Sequence, residues 1–203
     1  MDTNTLRGES VCRRGWLQRV CMLCAGTALW LGPAPAHAAV VTDRVISESS
    51  RAQKNVPVTF GQIFKDGDVP KGATLTATLD GKLVTLQVDP KATNPDGSLR
   101  HAVLTMVIPS LAGKAGLPLE ISAGPATTAA APITLQQLLA TAYGAKVSLD
   151  IGGVTYAADT RTLLHAASTT NACKPWGTQC NTWLSGPLAS EWVVNGPVVS
   201  STG

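Results

Sequence analysis

The tightest constraint in this chain is the pair of alternating runs that flank Asp80-Gly81, because a two-residue loop fixes which residues oppose one another across a hairpin. With that loop, Leu79 faces Lys82, Ala77 faces Val84 and Leu75 faces Leu86, and opposed residues share one face of a sheet. One face is then almost wholly apolar. The other, Thr74, Thr76 and Thr78 with Leu83, Thr85 and Gln87, is mostly polar, as in an antiparallel sheet with one side on a core. A one-residue slip would scramble both faces, so turn chemistry and side-chain pattern specify the same register.

The flanking segments read as further strands. Residues 39–55 start with Val40-Val41 and then alternate with polar residues, an entering edge strand followed by a loop. Residues 56–61 form a short strand in which Pro57 favours an edge position. Asp66-Gly67 and Pro70-Lys71-Gly72 supply turns into the hairpin, and Asp89-Pro90 and Asn94-Pro95-Asp96-Gly97 mark a loop after it. From 98 to 108 both alternating sets are apolar, with Ala102, Leu104, Met106 and Ile108 on one side and Leu99, Val103 and Val107 on the other. Such a strand belongs inside a barrel or between layers. Pro109 is expected to stop it, and residues 117–122 to form the next strand.

Val56-Pro57-Val58-Thr59-Phe60-Gly61, then Gly81 followed by Leu86-Gln87, then Pro95-Asp96-Gly97-Ser98-Leu99-Arg100-His101 resemble the N-terminal RIFT-barrel domain of the exo-rhamnogalacturonan and exo-polygalacturonan lyase-like family. His101 stands where that family commonly carries an aromatic residue, often Trp, so a contact made by that ring does not carry over. The resemblance implies a β-module that precedes further domains, with lyase chemistry in a large helical toroid downstream. No such helical region follows in these 203 residues. The expectation is therefore a partial product whose catalytic domain lies elsewhere, and not an enzyme by itself.

The N-terminal 38 residues read as an export signal: Arg13, Arg14 and Arg19 precede an apolar run over 20–31, and Ala36-His37-Ala38 offers a small-x-small cleavage site. That run is short for a bilayer span, which needs about 20 residues. Arg13-Arg14-Gly15-Trp16-Leu17-Gln18 resembles a twin-arginine motif, but Cys12 and Gln18 depart from it, leaving the Sec and twin-arginine routes open. The formal charge of +3 falls further once Arg7, Arg13, Arg14 and Arg19 leave with Asp2 and Glu9. A near-neutral mature chain has no electrostatic footprint for nucleic acid or for an anionic membrane. Its length suffices for one ordinary domain or two small ones.

Export also accounts for the cysteines. Cys12, Cys21 and Cys24 depart with the leader, and Cys173 and Cys180 remain as a disulfide pair for an oxidising compartment. A clip closing so short a loop contributes about 2.5 kcal/mol in the chain-entropy view. A metal or redox pair fits less well: the spacing is not C-x-x-C, and only His101 and His165 remain to complete a site.

Residues 39–123 are read as the barrel-like domain and 124–132, reduced to Gly, Pro, Ala and Thr, as a linker. Residues 133–203 are read as the start of a second β-domain, unfinished at the C-terminus. Thr134 with Gln137 forms a capping box and Ile133 with Leu138 a hydrophobic staple. Leu135, Leu138, Leu139 and Ala142 then share a helix face and Gly144 supplies a stop. Gly152-Gly153 makes a second two-residue hairpin loop, in which Val147, Leu149 and Ile151 oppose Ala158, Tyr156 and Val154. Residues 159–168 fit either another capped helical turn or a strand, and Gly186-Pro187 and Gly196-Pro197 bracket a strand around Trp192. The fold class is all-β with one short helix.

For chemistry, His101 and His165 titrate near neutrality but neither sits in a catalytic motif. Asp96 beside Arg100 tempts as a carboxylate, yet Pro-Asp-Gly-Ser is turn chemistry in which Asp caps its own backbone. Glu191 has no partner at a spacing that would constrain paired carboxylate work. No catalytic residue, metal ligand or cofactor is expected. Trp176, Trp183 and Trp192 offer flat rings that cover the C–H face of a pyranose. Trp192, within a strand, reads as core, whereas Trp176, inside the disulfide loop, and Trp183 are the candidate glycan-binding residues, with an acidic polysaccharide as the expected partner. The alternative role is a structural or protein-interaction module of the cell envelope.

Overall fold

In the computed structural model, residues 39–124 and 130–200 are described. The expected export leader, the middle of the expected linker (125–129) and residues 201–203 lie outside the described residues.

The first part folds as seven strands: β1 Ala39–Ile46, β2 Gln53–Ile63, β3 Thr74–Leu79, β4 Lys82–Val84, β5 Leu86–Thr93, β6 Leu99–Leu111 and β7 Gly116–Gly124. They form two sheets, β1-β7-β3-β4 and β2-β6-β5. The core lies between them and holds Leu75, Ala77, Leu79, Leu104, Met106, Ile108, Leu119 and Ile121. β6 is the central strand of its sheet, and residues 102–106 are buried without interruption, which is why both of its alternating sets had to be apolar. Pro57 lies on the edge strand β2, where a missing N–H costs no ladder bond.

The first hairpin has the expected register at its tip, with Leu79 opposite Lys82 and Ala77 opposite Val84. Asp80 and Gly81 take φ of 51° and 72°, the left-handed pair that matches the twist of a two-residue hairpin. The expected Leu75–Leu86 pair does not form. The strand breaks at Thr85, and Leu86 pairs with Met106 in the other sheet while Leu75 pairs with Ala123. One continuous run thus serves both sheets and turns the corner between them. A second correction concerns Pro109: β6 runs through it to Leu111, and the β2–β6 ladder skips Pro109 and Asn55 together, Asn55 taking φ 50°.

The second part holds α1 Leu135–Leu139, β8 Lys146–Ile151, β9 Val154–Asp159, α2 Thr160–Thr169, β10 Cys173–Lys174, β11 Cys180–Ser185, β12 Ser190–Val194 and β13 Val199–Ser200. The capping box of Thr134 and Gln137 is present, but α1 ends at Ala140, short of Ala142 and Gly144. The Arg161 guanidinium donates to the carbonyl of its last residue, Leu139, and to those of Thr141 and Tyr143 beyond it. The open segment after β9 is the helix α2, N-capped by Asp159, whose carboxylate accepts from the Thr162 N–H at 2.8 Å. That bond, more than any other influence, holds the Asp159 carboxyl below its usual pKa. The second hairpin has the expected register, Val147 to Ala158, Leu149 to Tyr156 and Ile151 to Val154. Cys173 and Cys180 are disulfide-bonded and directly paired across the parallel strands β10 and β11. With thirteen strands and two short helices among the described residues, the fold is all-β.

Candidate functional site

The site lies where strand β5 of the first part meets strand β11 of the second, and irregular backbone on both sides builds it. In the β5–β6 ladder Pro90 pairs with Ala102 and Ala92 with His101, so Lys91 is the extra residue of a bulge. In the β11–β12 ladder Thr182 pairs with Trp192 and Leu184 with Glu191, so Trp183 is likewise bulged. A bulge bends its strand and re-aims the unpaired side chain. Here the two bulged residues meet: the Lys91 Nζ stands 4.3 Å from the centroid of the Trp183 ring and donates to the Trp183 carbonyl oxygen. An ammonium over an indole face is worth about 0.5–2 kcal/mol according to its exposure.

Trp176 completes the group. Its ring meets Trp183 edge to face, centroids 5.7 Å apart and planes 82° from each other, an arrangement that contributes about 0.5–1.5 kcal/mol beyond burial. Trp176 is nonetheless 65% exposed. Its backbone is held at φ 58°, an uncommon conformation for a bulky residue, and several contacts enforce it. The disulfide closes the loop, the Trp176 N–H donates to Asn181 Oδ1 at 2.8 Å, and Gly177 lies so close to the Cys180 carbonyl that a Cβ there would collide. From outside, Asn195 Nδ2 donates to the Thr178 oxygen at 2.8 Å. The exposed ring is therefore carried on a fixed loop. Trp176, Trp183, Lys91, Asn181 and Asp89 border a cleft of about 130 Å³.

Beneath the cleft, Gln87 and Asp89 tie the two parts together. Gln87 Oε1 accepts from the Leu188 and Ala189 N–H groups at 2.9 Å each, and its Nε2 donates to the Ala189 oxygen at 2.8 Å and to Asp89 Oδ2 at 2.7 Å. Asp89 Oδ1 accepts from the Ser185 N–H at 2.8 Å. Both side chains are buried. The expectation that Gln87 belongs to a polar, solvent-facing set fails because residues 185–189 cover that face of β5. Gly186 sits against the Gln87 amide with no room for a side chain.

Of the other candidates, Asp96 has a structural role. Asp96 accepts from the Ser98 hydroxyl at 2.6 Å and from its N–H at 2.8 Å, and the hydroxyl bond foremost lowers its pKa. Ser98 Oγ in turn accepts from Asn94 and from the Gly67 N–H, so the Pro-Asp-Gly-Ser run is a turn lock. His101, half-buried on β6, lies over Gly61, its Nε2 3.1 Å from where a Cβ would stand. His165 is exposed on α2 and Glu191 exposed on β12. Trp192 is half-buried opposite Thr182. Among the described residues no three His, Cys, Asp or Glu side chains gather as a metal site, and no helix is long and apolar enough to cross a membrane. Two larger grooves, of about 430 and 510 Å³, flank β3, and a third, of about 560 Å³, lies along α2 and is bordered by Arg161 and His165. Threonine, aliphatic residues, proline and glycine dominate the walls of the two beside β3, with Lys71 the one charged residue bordering either.

Lys91, Gln87 and Asp89 were not legible as site residues. Lys91 is one lysine among several, and only the paired bulges reveal its direction.

Residues 30–114 match the family described as the PcRGLX-like N-terminal RIFT barrel domain. The match spans the two-sheet first part through β6 and less than half of the chain. No curated protein and no solved structure matches the chain.

Proposed function

We propose that this chain, whose first part is a PcRGLX-like N-terminal RIFT barrel domain, is a non-catalytic module of an exported polysaccharide-acting protein, and that it positions glycan through the cleft between β5 and β11. The observation that carries the reading is the exposed Trp176 ring held edge-on to Trp183 with the Lys91 ammonium alongside. An aromatic face takes the C–H side of a pyranose, a fixed loop lowers the ordering cost of binding, and a cation beside the ring favours an anionic sugar such as a uronate. A binding role is further supported by the employment of the carboxylates, since Asp96, Asp159 and Asp89 serve a turn, a helix cap and the junction between the two parts. The disulfide agrees with passage through an oxidising compartment.

The test is retention on immobilised polygalacturonate against a neutral glucan. Trp176→Ala should abolish retention while leaving the circular dichroism spectrum unchanged, and Trp183→Ala should do the same with some loss of stability. No retention of the unaltered protein on either polymer would refute the proposal and favour a purely structural role at the cell envelope.

A further inference from the structure

The second hairpin presents a feature that the glycan cleft does not use. β8 is the outer strand of the sheet β13-β9-β8, and all six of its residues are exposed. On one face Val147, Leu149 and Ile151 stand 54%, 46% and 63% exposed. Lys146, Ser148 and Asp150 occupy the other face. Among the described residues no strand lies along the outer edge of β8. Natural edges are usually blunted by an inward charge, a proline or a bulge. β8 carries none of these on its apolar face, and its ladder with β9 is regular from Lys146 to Ile151.

We infer that β8 pairs antiparallel with β8 of a second copy of this chain, about a two-fold axis through Leu149. The hydrogen-bond phase of the hairpin sets the register of that pairing. A two-residue loop makes Ile151 and Val154 a hydrogen-bonded pair, so the N–H and C=O groups of Val147, Leu149 and Ile151 point to β9 and those of Lys146, Ser148 and Asp150 point outward. On the outer edge, Ser148 then exchanges both bonds with the partner's Asp150, and Leu149 meets the partner's Leu149 as the close, non-hydrogen-bonded pair.

Only a register centred on a residue keeps like faces together, because opposed residues share a face. Centred on Leu149, Val147 opposes the partner's Ile151 and the apolar stripe continues unbroken across both copies. The polar face is self-complementary in the same register: Lys146 lies diagonal to the partner's Asp150, and no like charges oppose. Lys146 itself faces the partner's Gly152, around which there is open space. An isologous contact of this kind closes on itself and does not propagate.

The test needs the intact protein and three readouts. Sedimentation should give a dimer whose dissociation is concentration-dependent. Leu149→Cys should cross-link two copies on oxidation, whereas Ser148→Cys, which opposes the partner's Asp150, should cross-link at least tenfold more slowly. Ser148→Pro removes an N–H that no described strand accepts and should shift the protein to monomer with its thermal midpoint little changed. A monomeric mass at every concentration, or equal cross-linking at positions 148 and 149, would overturn the inference. So would a dimer that Ser148→Pro leaves intact. None of these readouts involves glycan, so failure here is distinct from failure of the binding site.

Discussion

Replacing Gln87 by Ala tests how the two parts of the chain are joined. The amide makes four hydrogen bonds, to the N–H groups of Leu188 and Ala189, the Ala189 carbonyl and the Asp89 carboxylate. Its loss strands the Leu188 and Ala189 N–H groups in a segment that is half-buried, whereas the Ala189 carbonyl keeps the Gly186 N–H at 3.1 Å. Stranding a buried polar group costs roughly 1–3 kcal/mol, and water reaching part of residues 187–189 puts each at the low end, about 2 kcal/mol in all. The natural assay is urea unfolding followed by tryptophan fluorescence, since Trp176, Trp183 and Trp192 all lie in the second part. Gly186→Ala supplies the complementary measurement. Its new methyl collides with the Gln87 amide, so alone it should cost roughly 1–3 kcal/mol, but in the Gln87→Ala background the space is open. The double mutant should therefore be more stable than additivity predicts by at least about 1 kcal/mol. A loss below about 1 kcal/mol for Gln87→Ala, or strict additivity, would refute the idea that this amide holds the junction.

Three further outcomes follow from the geometry. Lys91→Met keeps the packing stem but removes the ammonium from the Trp183 ring and carbonyl, so it should weaken retention on polygalacturonate severalfold while leaving any retention on neutral glucan unchanged. Replacing Cys173 and Cys180 together by Ser should lower unfolding stability by about 2.5 kcal/mol and make Trp176 more accessible to acrylamide quenching, because the loop loses its clip. The depressed carboxyls of Asp96 and Asp159 bind a proton more readily in the unfolded chain, so their stabilisation is full above the ordinary aspartate value of about 3.9 and disappears as pH falls through their lower folded values. An acid titration by circular dichroism should show this, with a smaller acid loss in Asp159→Ala, which lacks the titrating cap at every pH.

What the sequence made legible was local. Both hairpin tips followed from two-residue loops, the α1 cap from Thr134 and Gln137, and the disulfide from cysteine placement. The departures arise where tertiary structure overrides local pattern. Leu86 leaves its hairpin partner because the barrel corner needs one strand in both sheets, and Pro109 is tolerated because the facing Asn55 leaves the ladder with it. Gln87 looked solvent-facing because nothing in the run 82–89 announces that residues 185–189 will cover it. Trp176 and Trp183 could be picked out as flat rings near a clipped loop, but their companion Lys91 could not. Its direction is set by a bulge, and a bulge has no signature in a run such as Asp89-Pro90-Lys91-Ala92.

The most direct test of the account is a titration of the intact protein with defined oligogalacturonates, followed by tryptophan fluorescence. A saturable change is expected, lost in Trp176→Ala and diminished by salt, since an anionic sugar beside Lys91 is partly held by charge. A flat titration of the unaltered, folded protein, or an undiminished one in Trp176→Ala, would contradict it.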